Sequence, residues 1–251
     1  LAGVPVVAGV GHDTSAASAA LAPLKRGDLY LSAGTWTMLG ACTGEFALPD
    51  RPESTSVVAM GLAFGNWGIF SGGMGLWLLQ ECRRLWEERG ESVPDHAALM
   101  EAAAASDFES GFDASAQRFF APKDMLAEIA AACEEAGRPV PRSQAETAKA
   151  IFDSLAECFA ASVERLADLS GLTFKRLRII GGGSRNAYLC RKTAQALGLP
   201  VVAGLPEATS VGNLLNQAIT LGLLLSERQI RRVVEASFDF TVYSPESCND
   251  H

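Results

Sequence analysis

Apolar residues along the chain fall into short β-like runs and longer helical stripes, punctuated by glycines. Residues 4–10 read as a first strand, followed by Gly11-His12-Asp13-Thr14 and an alanine-rich helical run to Leu21. Leu29 to Ser32 and Trp36 to Gly40 predict two short strands hinged at Gly34-Thr35. The Gly- and aromatic-rich stretch 56–71 predicts short strands and loops, closing on Gly72-Gly73. Residues 74–89 then have an amphipathic helical pattern. Leu76, Leu79 and Leu85 lie on one side, and Glu81, Arg83, Arg84, Glu87 and Glu88 crowd the other. Gly90 ends that helix, and Gln80 is a polar residue close to its apolar stripe.

Further helices are predicted over 96–105 and 125–136, with a break at 137–141. Ser143-Gln144-Ala145-Glu146 has the spacing of a capping box. It opens the longest helix, apolar on both faces in its middle and therefore central, which Gly171 stops. A strand through Leu177, Ile179 and Ile180 runs into Gly181-Gly182-Gly183, and Ser184-Arg185-Asn186 opens a helix that ends at Gly198. A strand at 200–202, a helix from Glu207-Ala208-Thr209 through Leu225, a short helix over 228–236 and a strand-like 238–243 complete the chain. Strands first, then alternating helices and strands, predict a layered α/β domain, one unit over residues 1–251.

The 251 residues are 48% hydrophobic, enough for one large core, and carry a net charge of -8 without a basic block. That balance disfavours a nucleic-acid partner. The longest apolar runs fall short of a membrane span. Six scattered cysteines (Cys42, Cys82, Cys133, Cys158, Cys190 and Cys248) lack the spacing of a zinc site or redox motif and read as reduced thiols in a cytoplasmic protein. The chain begins with Leu1 and enters its first β-like run at once, which suggests a piece of a longer protein.

A strand, a side-chain-free turn and a helix start put bare N–H groups and a positive dipole end at one spot, suited to an anion or a flat ring. The triple glycine has neither the dinucleotide Gly-x-Gly-x-x-Gly spacing nor a phosphate loop ending in Gly-Lys-Ser/Thr. By itself it indicates nucleotide or anion contact, or an ordinary tight turn. Asp13, or Thr14 beside it, reads as a helix N-cap; equally, Asp13 is a carboxylate at a strand-to-helix turn, placed to take a proton from a hydroxyl. His12 is a substrate hydrogen-bond partner or a surface residue. Thr35 either satisfies an ordinary hairpin or presents a hydroxyl and N–H groups to phosphate oxygens.

Five segments occur in an order that is similar to a known family: Gly11-His12-Asp13-Thr14, Leu31-Ser32-Ala33-Gly34-Thr35-Trp36, Gly75-Leu76-Trp77-Leu78-Leu79-Gln80, Ile180-Gly181-Gly182-Gly183-Ser184-Arg185-Asn186, and Glu207-Ala208-Thr209 through Gly212-Asn213. Together they resemble the C-terminal half of the FGGY carbohydrate kinases, most closely the L-rhamnulokinases among them. The resemblance implies an actin-like (ribonuclease-H-like) ATPase fold, a mixed sheet with flanking helices, whose other, N-terminal lobe is absent from this chain. It implies transfer of phosphate from ATP, with Mg²⁺, to a ketose such as L-rhamnulose, giving the sugar 1-phosphate and ADP. Asp13 would be the catalytic base; His12, Asp13 and Thr14 would meet the sugar; Thr35, Gln80 and Gly182 would contact the nucleotide. No metal ligand is assigned.

The stretch Ala59-Met60-Gly61-Leu62 and the pair Ser71-Gly72 depart from the rhamnulokinase pattern, which leaves the sugar open. Two other readings stand beside the kinase. One is a non-catalytic nucleotide- or sugar-sensing module, the other an actin-like ATPase with a protein client.

Overall fold

Alternation along β1 (Leu29–Ala33) organises the molecule, because Leu29, Leu31 and Ala33 face one apolar cluster while Tyr30 faces another. A central strand buried on both sides must carry helices on both faces. The computed structural model describes residues 3–47 and 57–246. After α1 (Asp13–Ala20) and β1 come β2 (Trp36–Cys42), β3 (Val57–Gly61) and β4 (Trp67–Met74). The helices α2 (Trp77–Glu88), α3 (His96–Ala105), α4 (Met125–Glu135) and α5 (Gln144–Ser170) follow. The chain continues through β5 (Leu177–Ile180), α6 (Ala187–Leu197), β6 (Val201–Ala203), α7 (Ala208–Thr220), α8 (Glu227–Ser237) and β7 (Thr241–Tyr243).

The seven strands form one mixed sheet in the order β3-β4-β2-β1-β5-β6-β7. β1, β5 and β6 run parallel, while β2, β4, β3 and β7 are antiparallel to their neighbours. The larger core lies between the sheet and α2 to α6; the smaller one packs α1, α7 and α8 on the opposite face. The 27-residue α5 buries Ile151, Phe152, Leu155, Phe159, Val163 and Leu166 and is central to the larger layer, as its two-sided apolar pattern predicts. Its start departs from the reciprocal box in one detail. Ser143 Oγ accepts the amide of Glu146 at 3.2 Å, but the Glu146 carboxylate accepts the amide of Arg142 rather than that of the cap residue. At its other end Gly171 has φ +64°, the left-handed conformation that stops a helix most cheaply at glycine.

Several expectations are corrected. Residues 4–10 pair with no strand among the described residues; Val4 and Val6 are exposed (Val6 at 98%), and an apolar run without a ladder partner stays merely extended. Met74 belongs to β4, so α2 starts later, and its buried stripe includes Leu78, Cys82 and Trp86 beside Leu79 and Leu85. Residues 182–185 form a 3-10 turn, and α6 opens only after Asn186, whose side chain caps Leu189 at 3.0 Å. The helix expected through Leu225 stops at Thr220, where Gly222 turns the chain at φ +72°. Among the described residues five cysteines are free thiols, four of them buried. Leu1, Ser56 and Cys248 lie outside the described residues.

Candidate active site

The sequence-selected residues gather at the carboxyl ends of the parallel strands, where loops of α/β sheets present ligand-binding groups. β1 ends at Ala33 and runs directly into Gly34-Thr35. The carbonyls of that turn are taken up by the start of α2: Leu76 N–H donates to Gly34 O (2.9 Å), and Gly75 and Trp77 N–H donate to Thr35 O (3.1 and 3.0 Å). Gly75 is required there, because a Cβ would lie 2.5 Å from Gly34 O. Thr35 itself is exposed, and neither its hydroxyl nor its amide donates a hydrogen bond among the described residues. The hairpin is therefore held by its carbonyls, and the Thr35 donors remain available. Gln80 lies on the exposed side of α2, one turn after Leu76, with its side chain unpartnered among the described residues.

The triple-glycine turn packs against the end of β1, and its three members differ. Gly181 sits at φ +81°, ψ -175°, a region essentially reserved for glycine. A Cβ on it would come 2.8 Å from Ala33 O. A Cβ on Gly183 would be 2.6 Å from the Ala33 Cβ. Gly182 is exposed, and a Cβ there would meet nothing within 4 Å. Two of the glycines are thus explained by the fold itself, whereas the third faces open space beside the Gly34-Thr35 turn.

Asp13 opens α1 but is not its cap. His12 is the N-cap, its Nδ1 accepting from Thr14 N–H at 3.2 Å. Asp13 occupies the first turn, where its Oδ1 accepts from Thr14 N–H at 2.6 Å and from the Thr14 hydroxyl at 3.3 Å. The positive helix end favours a carboxylate in that place. His12 Nδ1 is 3.1 Å from Asp13 Oδ1, with the two side chains 52% and 74% exposed. The carboxylate is thus held at one oxygen and open to solvent.

α1 is fixed by α7. A Cβ on Gly212 would lie 1.9 Å from Ala16 O, so the two helix backbones touch at a residue without a side chain. Thr209 Oγ1 donates to Asp13 O at 3.3 Å. Leu205, ahead of α7, accepts Gly181 N–H at 3.1 Å while held at φ +52°, an unusual backbone for leucine. One continuous path of contacts therefore joins the triple glycine to Asp13.

The structure also assigns neighbours that sequence reasoning passed over. Trp36, directly after Thr35, is 46% exposed and stacks on Trp77 with centroids 6.2 Å apart, Phe120 lying at 5.0 Å. Its position in sequence was the available signal. The segment that departs from the rhamnulokinase pattern sits against α1: Ser15 Oγ donates to Gly61 O at 2.6 Å and Ser18 Oγ accepts from Ala63 N–H at 2.9 Å. Next to it Phe64 has φ +59°. Among the described residues no group of three His, Cys, Asp or Glu side chains is placed to hold a metal ion. No described helix is long and apolar enough to cross a membrane.

In solved structures, the fold is similar to a xylulose kinase from Rhodospirillum rubrum (TM-score 0.66, 15% identity, 94% of this chain and 46% of that one). It is similar as well to glycerol kinase of Plasmodium falciparum with ADP (TM-score 0.68, 13% identity, 93% and 46%). A gluconate kinase from Lactobacillus acidophilus gives TM-score 0.65 at 12% identity, over 92% and 45%. The chain spans about half the length of these proteins, and at such identities they establish the actin-like ATPase fold alone. Residues 29–221 match the model of the FGGY family of carbohydrate kinases, C-terminal domain; Asp13 lies ahead of the matched region. A match over most of the chain identifies it: this protein belongs to the FGGY family of carbohydrate kinases.

Proposed function

We propose that the chain is the nucleotide-binding lobe of a sugar kinase, which phosphorylates a ketose at the expense of ATP and yields the sugar 1-phosphate and ADP. The observation that carries this reading is the pairing of Gly182, which no packing or backbone demand explains, with the undonated N–H and hydroxyl of Thr35 across the end of β1. Phosphoryl transfer asks a protein chiefly for positioning, neutralisation of charge and one base. Thr35, Gln80 and Gly182 bind and orient the nucleotide. Mg²⁺, when bound with the triphosphate, neutralises its charge; no side chain of this chain is assigned to it. Asp13 takes the proton of the sugar hydroxyl as that oxygen bonds to the γ-phosphorus and the bond to ADP breaks. Its second carboxylate oxygen takes no hydrogen bond among the described residues and is open to solvent, as a proton acceptor requires.

His12 and Thr14 flank the sugar. A ketose of the L-rhamnulose kind is the substrate class, supported by the resemblance of the five segments, while the altered 59–62 stretch, tied to α1 within about one and a half turns of Asp13, sets which sugar fits. The other half of the cleft comes from the N-terminal lobe of the same cytoplasmic protein. Val6 (98% exposed) and Leu214 (66% exposed) are apolar positions that such a lobe would cover.

The test is Asp13→Asn in the full-length protein, assayed for ADP release with L-rhamnulose and a panel of other ketoses. A general base contributes about 10²–10⁴-fold, so turnover falls by at least 100-fold while ADP affinity stays within about threefold. Loss of binding together with turnover refutes the role of Asp13. Nucleotide binding without turnover on any sugar in the unaltered protein supports the sensing module instead.

A further inference from the structure

Three arginines converge at the opposite end of α1 and β5 from Asp13 and Gly182: Arg176 just ahead of β5, Arg178 on β5 and Arg231 on α8. With Leu21, Val234, Phe240 and one carboxylate, Glu235, they line a cavity of about 220 Å³. Arg178 alternates with its strand neighbours Leu177 and Ile179, which enter the larger core, and so turns toward α1 and α8. One of its amine groups, Nη1, donates to Leu21 O at 2.9 Å; this is its single hydrogen bond among the described residues, and the other donors of the guanidinium fork are unused. No carboxylate lies within ion-pair distance of Arg176 or Arg178 among the described residues, and Glu235 is engaged with Arg231 Nε at 2.7 Å.

Burial pulls the Arg178 pKa down; Asp28 opposes it, while Arg176 and Arg231 each pull in the same direction as burial and Glu235 opposes them least. A half-buried cation crowded by two others, in a chain of net charge -8, is a costly arrangement that a bound anion would relieve. The apolar part of the wall gives such an anion a place for carbon. A cavity of about 150 Å³ accepts benzene, whereas drug-sized ligands occupy about 300–1,000 Å³. The space therefore suits a small molecule.

We propose that this cavity binds a small metabolite bearing a phosphate or carboxylate on an apolar body of about six carbons, with the oxyanion held by Arg176, Arg178 and Arg231. The site is separate from the sugar-kinase cleft and does not depend on that reading. The experiment is calorimetric titration of the full chain with phenyl phosphate, benzoate and inorganic phosphate. It is repeated on the Arg176→Ala/Arg231→Ala double variant, whose altered residues are exposed, and on Gly182→Arg. The expected result is saturable binding of phenyl phosphate or benzoate, the tighter of the two identifying the oxyanion. Binding should weaken at least tenfold in the double variant and stay within twofold in Gly182→Arg, with inorganic phosphate binding more weakly than phenyl phosphate. No saturable binding of either aromatic probe, or affinity unchanged in the double variant, overturns the proposal. Loss of binding in Gly182→Arg overturns it too, by placing the probe on the triple-glycine turn.

Discussion

The three consecutive glycines should respond differently to the same small substitution. Alanine at Gly181 must occupy φ +81°, ψ -175° and place its Cβ 2.8 Å from a backbone oxygen that cannot rotate away. Backbone strain of about 1–3 kcal/mol adds to overpacking of similar size, so Gly181→Ala loses about 3–5 kcal/mol. Gly183→Ala has no positive φ to relieve, but it collides with the Ala33 Cβ at 2.6 Å and crowds Ala33 O at 3.2 Å; a loss of about 1–3 kcal/mol follows. Gly182→Ala meets nothing within 4 Å, and by restricting the unfolded chain it should be neutral or stabilising by up to about 1 kcal/mol. Urea unfolding at 25 °C with unchanged m-values measures all three. Mg-ADP is then titrated into the parental protein and into a further variant, Gly182→Arg, which, on a fold of near-parental stability, should lose nucleotide binding. The reasoning is refuted if Gly182→Ala is as destabilised as Gly183→Ala, because the residue then has a structural duty. Full ADP affinity in Gly182→Arg refutes it equally.

Gly212→Ala forces α7 away from Ala16 O, and after about 1 kcal/mol of helix propensity is regained it should still cost about 2 kcal/mol; an unchanged urea midpoint would contradict the close approach of α1 and α7. Lys149, 8% exposed, donates to Asp153 Oδ2 at 3.2 Å and to the Tyr188 hydroxyl, which in turn donates to Asp153 Oδ1 at 2.7 Å. Asp153→Ala strands that cation and should cost about 3–5 kcal/mol, most of it recovered in Asp153→Ala/Lys149→Met; a loss below 1 kcal/mol would mean the charge reaches water. Burial pushes the Cys190 thiol up to about 12 and also raises Cys42, Cys82, Cys133 and Cys158. Because the folded values exceed the unfolded value of about 8.5, the stabilisation is complete below that pH and is lost as pH rises toward the folded values. The unfolding free energy from urea curves should therefore fall from about pH 9 upward, by as much as about 1.4 kcal/mol per pH unit for each fully shifted thiol; a flat profile to pH 11 would refute it.

Local order was legible wherever the signal is carried by neighbours in sequence. The capping serine and Gly171 delimit α5 because caps act on amides within one turn, and the apolar steps of α5 announced a helix buried on two sides. The glycine turns were legible for the same reason. Residues 4–10 show the limit: their pattern suits a strand, but a strand exists only with a neighbour to bond, and none of the described strands lies beside them. At the site, sequence alone left Asp13 between a cap and a base. Only the fold showed that His12 stands at the cap position and that Asp13 holds Thr14 through Oδ1 alone.

The roles of the glycines divide in the same way. Glycine repeats mark a tight turn, but that Gly181 and Gly183 serve Ala33 while Gly182 faces open space follows from the parallel pairing of β1 with β5. The contact of Gly212 with Ala16, residues nearly 200 positions apart, likewise has no local signature. What the sequence determined by itself was the set of elements, their caps and the chemistry available at their ends, since these depend on short-range backbone bonding and apolar period. Which of those ends meet, and which groups are left without a partner where they meet, was decided by packing two apolar faces on one sheet. That burial is non-directional and long-range, and it is settled only when the whole core closes.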